Sequence, residues 1–201
     1  MRSLVTLLFF LFNITFVNAN NPIAVSYMQG IVDKTLSTVV GSDPNTLREN
    51  FKGLIKQHVL LDSVAKQLLV KKERLDTIEK AGLTSAFEDF VAWHLAGIYA
   101  NQISSGKDAK VTVQENTTTD RDPVLGQLLD VVTVVIETAQ YGKVKVEWYM
   151  IPNQGLIDAK VEGKFRMSLT LKPQYVAAWE QAGGNPQKFI EILRSQLNAK
   201  K

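Results

Sequence analysis

Cysteine is absent from the chain, which excludes thiolate zinc sites, iron–sulfur clusters, thiol nucleophiles and disulfide cross-links together. Histidine is nearly absent: His58 and His94 leave little scope for a metal centre. A large excess of one charge is also missing. Basic residues number 23 and acidic residues 20, a balance of +3 that is too small and dispersed to indicate a nucleic-acid partner. There is no G-x-x-x-x-G-K-[ST] loop to cradle a nucleotide phosphate and no G-x-S-x-G elbow to present a nucleophile. What is present is globular: 45% hydrophobic and 21% charged residues over 201 positions, the length of one domain.

The first nineteen residues read as an address. Met1-Arg2 supplies a positive start, Leu4 to Phe12 is almost uninterruptedly apolar, and Val17-Asn18-Ala19 places small residues where a secretory signal peptide is cut. Asn13 breaks the run well short of the ~18 apolar residues that a membrane span needs. The expectation is cleavage after Ala19, leaving a nearly neutral exported body, 20–201, stabilised by its core rather than by cross-links.

That body reads as helices, then strands, then helices. Val25, Met28, Val32, Leu36 and Val39 recur at helical spacing. Ser42 or Asp43 is a candidate cap for the next helix, with Pro44 at its first position. Stripes follow through Leu47, Phe51, Leu54 and Ile55, then Leu61, Val64 and Leu68. Lys71-Lys72-Glu73-Arg74 reads as a basic break, either a solvated helix end or a docking contact. Ser85 and Glu88 have capping-box spacing, and Phe87, Val91, Leu95, Tyr99 and Ile103 then repeat every four residues. His94 lies on the same inward side, the position of an ordinary core histidine or, in an enzyme, of a residue inside a cavity.

From Lys110 the period becomes two. Val111 and Val113 mark a short strand, Asn116 to Pro123 a polar loop, and Leu128 to Thr138 a strand apolar on both faces. Val144, Val146, Trp148 and Met150 alternate with polar residues, as do Ile157, Ala159 and Val161, and then Phe165, Met167, Leu169 and Leu171 before Pro173. Strict alternation predicts an antiparallel sheet with one apolar and one wet face. Asp158, Glu162, Lys143, Lys145, Lys164 and Arg166 fall on the wet face, with no interleaved aromatics to suggest a nucleic-acid groove. Two final helical stripes run through Tyr175, Val176 and Trp179, then Phe189, Ile190, Leu193 and Leu197. The reading is a single α+β domain: helical over 23–105, a curved, mostly antiparallel four- to five-stranded sheet over 110–172, and C-terminal helices over 173–199. Periodicity leaves open whether the apolar sheet face closes on the helices as a dry core or lines a cavity.

Three stretches carry a resemblance: Asp43-Pro44-Asn45-Thr46-Leu47-Arg48 leading into the Leu61–Leu69 helix, the four-residue ladder from Phe87 after Leu83-Thr84, and Asp158-Ala159-Lys160-Val161-Glu162-Gly163. In their order, from about residue 23 to 197, the chain resembles the periplasmic phospholipid-binding proteins of the Mla, or toluene-tolerance, family. Gln154 stands where that family usually has Trp, and Lys164-Phe165 where it commonly has Val-Ser.

The resemblance implies an NTF2-like cone and a monomeric periplasmic carrier without cofactor or catalysis, auxiliary to an ABC-type transporter. Such a carrier shuttles phospholipid between an outer-membrane lipoprotein complex and an inner-membrane MCE-domain complex, maintaining outer-membrane lipid asymmetry. Each acyl CH₂ removed from water contributes ~0.8 kcal/mol, so lipid does not cross an aqueous space unaided. The expected lipid-binding residues are Val144, Val146, Trp148, Ile157, Ala159, Val161, Phe165, Met167 and Leu169 on a sheet wall, with Phe87, Val91, Leu95 and Tyr99 on a facing helix wall. The alternatives are a small exported cone-fold enzyme acting on an apolar substrate and an envelope interaction module with a solid core.

Overall fold

The computed structural model describes residues 21–39, 43–103, 110–138, 142–151, 154–164 and 166–198. Residues 1–19, expected to be a signal peptide, Ser42, Phe165 and the side chain of Tyr99 lie outside this description. Five helices come first: α1 (Pro22–Val39), α2 (Pro44–His58), α3 (Leu61–Leu69), α4 (Lys72–Lys80) and α5 (Thr84–Ile103). Four strands follow, β1 (Lys110–Arg121), β2 (Leu128–Thr138), β3 (Gly142–Ile151) and β4 (Gly155–Val161), then α6 (Met167–Gln181) and α7 (Pro186–Asn198). The strands pair antiparallel in chain order, β1-β2-β3-β4. This is the α+β class read from the sequence.

The caps explain several boundaries. Asn21 Oδ1 accepts the N–H groups of Ile23 and Ala24 at 3.2 and 3.3 Å, and Pro22 occupies the first helical position, where no N–H is needed. Asp43 Oδ1 accepts Thr46 N–H at 3.2 Å, so Asp43 caps α2. Asn185 does the same for α7, accepting Lys188 N–H at 3.0 Å ahead of Pro186. α5 begins at Thr84, which puts Ser85 inside the first turn rather than at a cap.

Three expectations are corrected. First, Lys72–Lys80 is a helix, not a break. Arg74 is buried and donates to the carbonyl of Leu69 at 3.0 Å and to Glu180 on α6, tying three helices together. Second, Asn116–Arg121 continues β1 instead of looping. Its threonines are β-branched, and as an edge strand it exposes its polar side chains to water except Thr117, which is buried.

Third, the sheet ends at Val161. Residues 167–181 form α6, with Pro173 inside it, so Met167 and Leu169 do not belong to a sheet wall. Met167, Leu171, Tyr175 and Trp179 stand four apart, a helical stripe that shares its first members with the alternating pattern. Tertiary anchors at the helix start favour the helix. Asp158 on β4 accepts Ser168 N–H at 3.0 Å and Ser168 Oγ at 2.5 Å, satisfying an N–H that the helix itself cannot. Pro173 lies on the exposed side.

Three apolar assemblies result, the smallest being Leu129, Val131, Tyr149 and Ile157 on the sheet face away from α1; two matter most for the site. The larger is all helical: Phe51, Leu68, Ile78, Phe87, Phe90, Val91, Tyr175, Phe189 and Leu193 are buried together from α2 to α7. The smaller is a layer between α1 and one face of the sheet, centred on Met28, Val132, Val134 and Met150.

Candidate functional site

Opposed residues in an antiparallel pair share a face. Val113, Val134, Val146 and Val161 form one row, and Thr117, Val132, Trp148 and Ala159 another. Val111, Ile136 and Val144 make a third row toward the far end of the strands. Val144, Val146, Trp148, Ala159 and Val161 therefore do lie together, on the face that α1 covers.

Ile157 does not join them. A register shift between Tyr149 and Met150 leaves Ile157 as the extra residue of β4, and it packs with Leu129, Val131 and Tyr149 on the opposite side. Met167 packs against the helical core, and Leu169 is 43% exposed.

The expected helix wall is elsewhere too. Phe87, Val91 and Leu95 are buried in the helical core, where the Phe87 ring lies 6.1 Å from Tyr175 and 5.6 Å from Phe189. The cover of the sheet face is α1, through Ala24, Met28, Ile31 and Val32. The stripe of Val25, Met28 and Val32 was visible in the sequence; its partner was not, because periodicity fixes which side of a helix is apolar and not what it meets.

α1 is anchored at its start. Asn21 N–H donates to Thr117 Oγ1 at 2.9 Å and Asn21 Nδ2 to Asp130 Oδ2 at 2.7 Å, both on the covered face. Farther along, its links to α2 are exposed: Tyr27 Oη with His58 Nδ1 at 3.1 Å, and Lys34 with Gln57. Burial and nearby Lys34 hold His58 below its usual pKa. In this layer Val111, Val113, Ile136 and Trp148 remain only half-buried, as do Val144 and Val161 farther along the same face. The layer is an apolar surface with one cover, tight at Met28 and looser toward Val144.

The opposite face carries polar groups. Arg166 donates to Asp120 and Asp122, each at 2.7 Å, and its guanidinium lies 4.0 Å above the Tyr149 ring. Asp122 also accepts Gln67 Nε2 at 2.8 Å and the N–H groups of Val124 and Leu125 at 2.9 and 2.7 Å. Asp158, expected on a wet face, is buried beside this network, and burial raises its pKa against the pull of its hydrogen bonds from Ser168 and Ala159. Burial likewise opposes the charge of Glu147, but Lys145 at 3.0 Å and Lys160 at 3.4 Å outweigh it and lower its pKa.

No family model matches the chain, and no curated protein is detectably similar to it in sequence. The site is therefore judged on its own geometry. The Asp158–Gly163 stretch has a structural role: Asp158 seats α6, while Glu162 and Gly163 take left-handed conformations, φ +54° and +65°, to turn the chain from β4 toward it. Glu162 also accepts Lys145 N–H at 2.7 Å.

A cleft of about 370 Å³ opens over the Arg166 network between Pro123, Lys160, Lys164 and Leu169. His94 does not line this cleft. It is buried, with Nδ1 3.0 Å from Tyr175 Oη and its ring stacked on the Tyr175 ring. Among the described residues, no group of three or more acids or histidines could hold a metal ion, and no helix is long and apolar enough to cross a membrane.

Proposed function

We propose that the chain is an exported, periplasmic carrier that takes the acyl chains of a phospholipid between α1 and the sheet face beneath it. One observation carries this reading: on the face where α1 packs, apolar side chains on every strand stay half-buried, Val111, Val113, Ile136 and Trp148 in the layer with α1 and Val144 and Val161 beyond it on the same face. A domain of this size has enough apolar material to close such a layer, as its own helical core demonstrates. An unfinished apolar surface under a helix anchored at one end suits a cargo that enters and leaves. Acyl chains suit it chemically, since each CH₂ transferred from water gains ~0.8 kcal/mol without requiring a polar partner. In this reading, delivery would run between an outer-membrane lipoprotein complex and an inner-membrane MCE-domain complex.

The test is native mass spectrometry of the protein purified from its own envelope, paired with Val144→Trp. Trp at this half-buried position fills the loose end of the layer, whereas at Val146 or Ala159, both buried, it would overpack the sheet. Phospholipid of defined stoichiometry on the native chain, falling on the order of tenfold in Val144→Trp with melting temperature preserved, supports the carrier. A chain that is lipid-free from its own membrane system overturns it and favours the solid interaction module.

A further inference from the structure

Beyond its anchor at Asn21, α1 reaches α2 through Tyr27 and Lys34. Tyr27 Oη lies 3.1 Å from His58 Nδ1, with the two rings edge-on and 5.8 Å between centroids, and Lys34 Nζ donates to Gln57 Oε1. His58 is the last residue of α2, and its backbone is clamped by β4. Val59 bridges to Leu156, Leu60 N–H donates to the Leu156 carbonyl at 2.8 Å, and the His58 carbonyl stands 2.8 Å from where a Cβ on Gly155 would be. A disturbance at the ring is therefore taken up on the α1 side, where the contact is exposed.

The ring suits this seat in one charge state. Neutral imidazole carries one N–H and one lone pair, and the Tyr27 hydroxyl answers either of them at Nδ1. Nε2 is closed to solvent and has no partner. With the proton on Nδ1, Nε2 is only a lone pair; protonating the ring puts an N–H there with no acceptor, at the desolvation cost of a buried donor. The end of a helix ordinarily favours a charged ring, yet burial first and Lys34 second hold His58 below its usual pKa. No acid among the described residues offsets them. Lys56 on α2 takes Asp89, Asp33 on α1 accepts Gln29, Asp62 on α3 pairs with Lys66, and Gly155 and Leu156 on β4 carry no charge.

We propose that His58 is an acid-sensitive catch on α1: protonation of its ring releases Tyr27 and lets α1 swing away from the sheet about the Asn21 anchor. Met28, Ile31 and Val32 then leave Val132, Val134 and Met150, and the sheet face opens. The helical core contains no residue of α1, so it stays closed through the motion. The catch works on the empty chain; that its opening also discharges a lipid rests on the carrier reading.

Hydrogen exchange of the full chain, read by mass spectrometry between about pH 8 and about pH 5, brackets the ordinary histidine pKa and tests the catch. After correction for intrinsic exchange, protection across α1 is expected to fall on the order of tenfold as His58 titrates, while protection of α5 and α7 holds. The midpoint should coincide with that of the His58 ring followed by NMR, and His58→Gln, which cannot take up the proton, should remove the step. Protection of α1 that stays level while the ring titrates, or an equal step in folded His58→Gln, overturns the catch. Should His58→Gln not fold, the coincidence of the two midpoints in the native chain decides, and separate midpoints overturn it. Co-purified phospholipid is assayed over the same range. Lipid lost in step with α1 opening supports both readings, whereas α1 opening in a chain that carries no lipid at any pH supports the catch and counts against the carrier.

Discussion

Around Tyr175 the helical core is closed on every side, whereas the apolar sheet face around Ile136 and Val144 stays half-exposed. The two regions use similar material, aliphatic side chains with a few aromatics, and differ in how many elements meet. In the first, α2, α3, α5, α6 and α7 converge, and rings of Phe87, Phe90 and His94 all lie within 6.1 Å of the Tyr175 ring. In the second, a single helix lies over a four-stranded face. One helix has too narrow an apolar stripe to seal four strands. Closure is thus a matter of how many elements surround a residue, and a binding surface can arise where that number is small.

Matched truncations should separate the regions most. Phe189→Ala, at a fully buried ring, is expected to lose about 3–5 kcal/mol in denaturant unfolding, while Ile136→Ala in the half-buried layer loses about 1 kcal/mol or less. Equal losses would mean that the layer is as well packed as the core.

Arg166→Met comes next. It leaves Asp122, 1% exposed, without its cation, and a loss of about 3 kcal/mol is expected from the same measurement. Asp122 keeps its bonds from Gln67 and two backbone N–H groups, so the folded chain persists.

Val144→Trp should change stability by less than about 1.5 kcal/mol; if the layer carries lipid as proposed, lipid content falls in the same variant, so cargo and stability come apart there as they do not at Phe189.

The smallest effect is a pH slope. Asp158 has its folded pKa raised above the ordinary 3.8, so the folded state holds its proton longer than the unfolded chain. Its stabilisation is complete below 3.8 and is lost as pH rises through the higher folded value. Asp158→Asn should flatten that part of the stability–pH curve and leave the slope above it unchanged. His58 has the opposite sign: its lowered pKa makes the contact between α1 and α2 strongest above 6.5 and weaker as pH falls through the folded value.

Much of this architecture could be read from the residues, and the failures share a cause. β2 is legible to the residue, from Leu128 to Thr138, because a run of valines bounded by polar turns has one reading. The cap at Asp43 and the shared face of Val144, Val146 and Trp148 follow from local chemistry and alternation. α6 was misread because Met167, Leu169 and Leu171 satisfy a period of two while Met167, Leu171 and Tyr175 satisfy one of four; the choice between them is made by Asp158, from another element. Ile157 was misplaced by a bulge that alternation cannot foresee. Arg166 looked solvated because its partners, Asp120 and Asp122, are distant in sequence. The candidate face was legible in part: Val144, Val146, Trp148, Ala159 and Val161 share one side of the sheet, Ile157, Met167 and Leu169 do not, and the cover was assigned to α5, since the stripes of α1 and α5 are alike and only the fold decides which meets the sheet.

Phe87 and Phe189 touch across more than a hundred intervening positions, with the entire β-meander spelled out between them. A ribosome, or a translocation channel, delivers Phe87 and Phe90 long before their C-terminal partners exist. During that interval their rings are a sticky surface awaiting completion, the kind of segment holdase chaperones grip. The same architecture makes the last helices a lock: a transcript ending before α7 would yield a chain whose principal hub never closes, a natural substrate for degradation.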